Sequence, residues 1–439
     1  MAFWRTSELG EMGAVAEQLE QARELAKDDL VIGATFFSET RTAKLGKVLK
    51  SAARIAVPAL AGAGLLVAGM TALPAVALAG ALGLFAGAMA IGESQGLQTN
   101  LQDYIQNRRE KAPEGLEAWR IGTAPRSIEN LEKNSPSQDA TREMLAANMV
   151  DFPKSFHIVH ANGHGKGANY AAGLPADALA GAINEGAAKG ANEVDAVILD
   201  TCYGANFEFM TRLGPAVKYV VAFQDAIPNA NSNAGRIPLQ TMLAEATKQA
   251  TAREMAIEMA DVASDFFENH RDYSIASVPV AARLQRGNLE KVRQGTDSTV
   301  AAIDMEALKT KLHPALDQAG AELSKVLSDP RMTAVIAQAK ENAEIETGGD
   351  LIDLGGFLSQ ILEHAPKDGA LEGSLKSALQ SLDETLIAKR TGQKFPLSGL
   401  SVHTRERPPA SREIAGNPTR PLDGDHLPKG WVTFIKAAF

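Results

Sequence analysis

The 439-residue chain contains a single cysteine, Cys202. One thiol excludes an intramolecular disulfide framework and any zinc site built from several cysteines. Aromatic residues are scarce at 5% while glycine and alanine are abundant, so helices packed through small side chains are expected. Positive charge is in deficit, with a net charge of -9, which argues against a nucleic-acid binder dominated by phosphate contacts. No apolar stretch of signal-peptide length opens the sequence, so no secretory signal is expected. The lack of a second cysteine for a disulfide fits a reducing cytoplasm. There is no internal repeat. What remains is a chain of 45% apolar and 22% charged residues, a balance that folds around a core.

One absence is local. From Ile55 to Gly92 there is no charged residue across 38 positions. A single membrane-crossing helix needs about 20 residues, and Leu73-Pro74 falls at the midpoint, where proline breaks a helix. A hydrophobic helical hairpin is the natural parse. Lys44, Lys47, Lys50 and Arg54 precede it and Arg108, Arg109 and Lys111 follow, so both ends would face the cytoplasm. The competing reading is a buried hairpin in a soluble protein, because alanine and glycine make the run only modestly hydrophobic.

Around this insert, residues 1–27 read as an N-terminal unit whose amphipathic helix runs over 7–27 with Ser7 as N-cap, and Leu30 to Phe37 as a strand within a 28–54 strand-and-helix unit. Residues 93–115 read as a linker and Ala118 to Thr123 as a weak strand. From Ser155 onward, apolar strands alternate with helices. The spacing predicts strands at 155–161, 194–200, 218–223 and 273–280, and helices at 139–148, 176–189, 205–213 and 237–270. Near-continuous apolar strands with helical crossovers indicate a parallel sheet buried on both faces. Residues 303–390 read as mostly helical, with breaks at Asp329-Pro330 and Gly348-Gly349. The proline- and charge-rich stretch 396–428 reads as loop.

In an open parallel sheet, ligands sit beyond the carboxyl ends of the strands. Two consecutive strands end in chemically loaded turns: Asn162-Gly163-His164-Gly165-Lys166-Gly167, and Asp200-Thr201-Cys202-Tyr203-Gly204. Adjacent parallel strands would set His164 beside the only thiol, as a Cys-His dyad requires. The glycines leave backbone N–H groups free to face a substrate carbonyl. Two other readings fit less well. The glycines around Lys166 match neither nucleotide-binding fingerprint, and a strand puts His157 and His160 on opposite faces, which disfavours a metal site. Those two histidines read as packing or surface residues.

With these motifs in view, the sequence resembles the caspase-like clan of cysteine peptidases, and within it the clostripain-like family. Gly163-His164-Gly165 and Asp200-Thr201-Cys202 carry the likeness. Ala222 to Pro228, Tyr273 to Ser277, Asp353-Leu354-Gly355-Gly356-Phe357 and Trp431 to Ile435 follow in the family's motif order. The resemblance implies an α/β/α sandwich with a mostly parallel central sheet, spanning residues 116–439 with a helical C-terminal elaboration. It implies endopeptidase chemistry, with Cys202 as nucleophile, His164 as general base and the amides of Gly165 and Cys202 as oxyanion donors. Asp200 matches the floor of the primary specificity pocket, which implies a polypeptide substrate with Arg or Lys at the cleavage site. Some relatives use calcium, but no acidic loop has the EF-hand pattern, so no cofactor is expected to be required. Family members often cut themselves at a basic residue between the two catalytic positions; here the basic residues of that interval are only Lys166 and Lys189. The alternative from another class is a membrane-perturbing or pore-forming protein, or a secreted effector, in which the caspase-like domain is regulatory.

Overall fold

The computed structural model describes residues 2–8, 31–37, 117–121, 128–133, 145, 149–150, 156–162, 165–172, 174–227, 250–269, 298–345, 350–391, 397–405 and 419–439. Valine- and isoleucine-rich runs form the middle of the sheet, because branched side chains suit a pleated surface covered on both faces. The strands are β1 (Ala2–Glu8), β2 (Val31–Phe37), β3 (Glu117–Ile121), β4 (Ile128–Lys133), β5 (His157–Asn162), the short hairpin β6 (Tyr170–Ala171) and β7 (Leu174–Pro175), β8 (Val194–Asp200), β9 (Val217–Phe223), β10 (Val300–Asp304), β11 (Leu351–Asp353), β12 (Leu386–Arg390) and β13 (Ser401–His403). Nine of them make one sheet in the order β12-β10-β9-β8-β5-β1-β2-β3-β4. The central five are mutually parallel; β10 and β12 extend one edge, and β3 and β4 the other, by antiparallel pairing.

Helices cover both faces. On one side lie α1 (Ala176–Lys189) and α2 (Phe207–Leu213), packed through Leu179, Ile183, Phe209 and Leu213 against Val159, Val197, Leu199 and Val220. On the other lies α3 (Ala252–Asn269), whose Met255, Met259 and Ala263 recur at helical spacing and meet Ile158, Ile198, Val221 and Phe223. The arrangement is the three-layer α/β/α sandwich with central parallel strands that the sequence led us to expect. Each fully buried aliphatic side chain contributes about 1.5–3 kcal/mol, so β8, buried along all seven residues and carrying Val194, Val197, Ile198 and Leu199, is firmly anchored.

The C-terminal third adds α4 (His313–Lys325), α5 (Pro330–Asn342), α6 (Leu354–His364), α7 (Ala370–Thr385) and α8 (Lys429–Ala438). The break expected at Asp329-Pro330 is present: α4 ends at Lys325 and α5 begins at Pro330, where the Asp329 carboxylate accepts from the N–H of Arg331 and proline occupies the first turn. Trp431 and Phe434 pack on Phe357 with ring centroids 6.3 Å away. Two of the family-like motifs thus meet in one aromatic cluster.

Several readings are corrected. Ala2–Glu8 is a strand, not the start of a helix capped by Ser7: Ser7 pairs with Phe36 on one side and Asn162 on the other. Phe3, Trp4 and Thr6 have β propensity, and pairing within the sheet overrides local periodicity. The 303–390 region is mostly helical, as expected, with β11 inside it and the strands β10 and β12 at its two ends. The 396–428 stretch contains β13, buried along its length. The calls on 9–27, 38–54, the 55–92 hairpin, the 93–115 linker and the 273–280 strand lie outside the described residues. Among the described residues, no helix is long and apolar enough to cross a membrane.

Candidate active site

Register between β5 and β8 sets the site. Ile158 pairs with Ala196, His160 with Ile198 and Asn162 with Asp200, so the two strands end level at the same sheet edge. Cys202 stands two residues beyond Asp200, half-buried. His164 stands two residues beyond Asn162 and lies outside the described residues. The next residue, Gly165, lies hard against the cysteine turn: a Cβ built on it would meet the Cys202 carbonyl oxygen at 2.6 Å and Thr201 Cβ at 2.7 Å. Only glycine permits that approach. Gly165 also forms an antiparallel bridge with Ala171, in which the N–H of Lys166 donates to the Tyr170 carbonyl at 2.9 Å. In that bridge pattern the amide of Gly165 points away from its partner strand.

The cysteine turn is pinned by the end of β9. Tyr203 takes a left-handed φ of 56°, a conformation that costs a residue with a side chain about 1–3 kcal/mol and persists only when its surroundings impose it. They do so here: the Tyr203 N–H donates to Asp225 O at 2.9 Å and the Ala205 N–H to Phe223 O at 2.8 Å. The Cys202 thiol faces the Ile227 carbonyl at 3.6 Å. Behind it, buried Gln224 donates to Asp353 Oδ1 (2.6 Å) and Leu400 O (2.9 Å) and accepts from the Gly399 N–H (2.6 Å). Asp353 also caps α6 through the Gly356 N–H and bonds the Ser398 hydroxyl. The family-like segments at 222–228 and 353–357 are therefore joined by one buried polar network behind the cysteine.

Asp200, the residue matched to the specificity pocket, is fully buried, with Oδ2 3.5 Å from Nε2 of the equally buried His160. His157 and His160 are both core residues on opposite faces of β5; neither is at the surface. Among the described residues, no grouping of three His, Cys, Asp or Glu side chains could hold a metal ion.

Sequence reasoning missed a further set of residues. Strand β13 runs beside the cysteine turn, and the Ser401 N–H and hydroxyl donate to Ala205 O at 2.9 and 3.0 Å. Two residues on, His403 Nε2 accepts from the Ala168 N–H at 3.1 Å, and its own N–H donates to both Glu208 oxygens at 3.1 and 3.2 Å. Burial pushes the Glu208 carboxyl up to about 7, against the downward pull of its hydrogen bonds and of Arg212. Burial, with Arg212 and Lys166 nearby, pulls the His403 imidazole down to about 3. Arg212, itself buried, donates to Asp177 (2.7 Å) and to the carbonyls of Glu208, Arg420, Pro421 and Asp423. No local sequence pattern announces the bonds of His403 and Ser401, or those from Arg212 to 420–423, which join residues some 200 positions apart.

No known protein family and no curated protein matches the sequence. Among solved structures the chain is similar to an inactive zymogen of a C11 protease from Parabacteroides distasonis, at 12% identity and a TM-score of 0.47, covering 92% of this chain and 90% of that one. It is also similar to a secreted C11 cysteine protease from Bacteroides thetaiotaomicron, at 10% identity and a TM-score of 0.49, covering 92% of each chain.

Proposed function

We propose that the chain is a cysteine endopeptidase in which Cys202 is the nucleophile and His164 the general base. The observation that supports it most is the level ending of β5 and β8, with Gly165 packed on the Cys202 carbonyl. Two parallel strands thereby bring Gly165, the residue after His164 in sequence, and the only thiol to one edge. In this reading the thiolate attacks the scissile carbonyl and forms a C–S bond. The amides of Gly165 and Cys202 hold the oxyanion, each donor contributing about 3 kcal/mol to the transition state. His164 protonates the departing amine as the C–N bond breaks, then deprotonates the water that hydrolyses the thioester.

Asp200 supports a preference for Arg or Lys at the cleavage site. A carboxylate at the carboxyl end of β8, out of bulk water, is little screened, so a cation that forms a close hydrogen-bonded pair with it recovers the cost of leaving water while an apolar side chain leaves the charge unpaired. The incoming cation would share it with His160. A panel of peptides differing only at that residue tests this on wild type and Asp200→Asn. Faster cleavage after Arg and Lys, lost in the variant, is expected. Equal cleavage after Leu and Arg by wild type would refute the preference while leaving the peptidase standing.

The uncharged run at 55–92, flanked by basic residues, supports a compatible second property, association of the enzyme with a bilayer. Liposome flotation of the full chain, and of one lacking 55–92, tests it. Only the full chain should float.

A further inference from the structure

We propose that His403 is a positioning residue: from β13 its imidazole holds the loop that sets Gly165 against Cys202. This rests on the peptidase reading above. The loop from Gly165 to Ala172 doubles back on itself with Gly167 at a φ of 53°, where only glycine sits without strain. A Cβ on Gly167 would come within 2.7 Å of His403 Nε2, so the ring fills the concave side of the turn. The next amide, Ala168 N–H, donates to that same nitrogen at 3.1 Å. Both residues are buried, so water cannot replace the bond, and a buried donor left unpaired costs about 1–3 kcal/mol.

An imidazole that accepts at Nε2 must be neutral, with its proton on Nδ1. Burial and the adjacent cations of Arg212 and Lys166 keep it so throughout the working pH range. The other end of the strand grips the cysteine side. Ser401 is bonded to Ala205, three residues after Cys202, and the His403 backbone N–H is bonded to Glu208 on α2. One three-residue strand thus spans the two turns whose relative position decides whether the Gly165 amide and the Cys202 sulfur can act on one carbonyl. The loop has a second tie, with the Asn169 side chain donating to Thr419 O at 3.0 Å and the Thr419 N–H to Asn169 O at 2.9 Å. Loss of the His403 bond should therefore loosen the loop without unfolding the protein.

The test compares wild type, His403→Leu, which removes the acceptor, and His403→Gln, whose amide oxygen can replace Nε2. Amide hydrogen exchange over residues 165–172 is read alongside hydrolysis of an Arg-containing peptide and alkylation of Cys202 by iodoacetamide, which needs no oxyanion donor. In His403→Leu, exchange in this loop should rise about 10-fold or more while β8 and β9 stay protected. The kcat should fall about 10- to 100-fold with KM and alkylation changed less than about 3-fold. His403→Gln should recover most of both losses. Unchanged exchange and kcat in His403→Leu, in an active wild type, would overturn the positioning role and leave the peptidase intact. A kcat loss matched by the alkylation rate, or not recovered by glutamine, would also overturn it. An inert wild type whose loop exchange still responds to His403→Leu would overturn the peptidase reading and leave the clamp standing.

Discussion

Replacing Gly165 with alanine puts a single methyl group where the structure has no room for it. The new carbon would lie 2.6 Å from the Cys202 carbonyl oxygen, 2.7 Å from Thr201 Cβ and 2.8 Å from Thr201 Oγ1. Comfortable contact for such atoms begins at about 3.5 Å, so the loop and the cysteine turn must part by about 0.8 Å. Neither neighbour is a flexible side-chain end. Thr201 is buried directly after β8, and the cysteine turn is tied to β9 through Tyr203 and Ala205. The loop yields instead, carrying its amide away from the sulfur. Overpacking of this kind costs about 1–3 kcal/mol of stability, and a displacement near 1 Å in a catalytic constellation costs about 100-fold in rate. Steady-state hydrolysis of an Arg-containing peptide should show kcat/KM reduced by about 100-fold, close to 3 kcal/mol of transition-state stabilisation, with the fold retained by circular dichroism. A Gly165→Ala protein hydrolysing within about 3-fold of wild type would refute the claim that this contact sets the geometry.

Three further substitutions probe the frame behind the site. Glu208 holds its proton more tightly folded than unfolded, so its contribution to stability is full below pH 4.5 and is lost as pH rises through about 7. Glu208→Gln should gain about 2–3 kcal/mol on wild type in denaturant titrations between pH 5 and pH 8, and a gap independent of pH would contradict this. Gln224→Leu removes three bonds at once: it strands the buried Gly399 N–H and leaves Asp353 Oδ1 and Leu400 O to their remaining donors from Ser398 and Leu354. It should cost about 3 kcal/mol or more by chemical denaturation; a loss under about 1 kcal/mol would mean the network is not under load. Gly320→Ala would drive a methyl to 2.4 Å from the Trp431 backbone. It should destabilise the α4–α8 contact by about 1–3 kcal/mol, read as a lower melting temperature; an unchanged one would show that the helices can separate freely.

The parts of the fold that could be read from the sequence are those where pattern and burial agree. Helix α1 and strand β8 occur at the expected residues, and β9 begins one residue early, because each is a long run with one period. Strand β10, Val-Ala-Ala-Ile-Asp, adjoins a region read as helical, and alanine does not discriminate between the two. Strands β12 and β13 are a partly exposed edge and a three-residue segment, too short for any period. Strand β1 was missed because a central position in the sheet depends on β2 and β5 accepting it, not on its own residues. At the site, the strand endings that bring Gly165 to Cys202 could be read from two apolar runs and their turns. The roles of His403, Glu208 and Gln224 could not. Each acts through bonds to segments distant in sequence, and even Gln224, inside the 222–228 segment, carries no local sign of its partners at 353, 399 and 400.

The central claim is that Cys202 is the attacking atom. Wild type and Cys202→Ala, incubated under reducing conditions with an Arg-containing peptide and with a peptidyl acyloxymethyl ketone, test it in one measurement of turnover and adduct mass. Wild type should cleave the peptide and gain one inhibitor mass on the Cys202 fragment, and Cys202→Ala should do neither. Cleavage that persists in Cys202→Ala, or a wild type that neither cleaves nor labels, would contradict it.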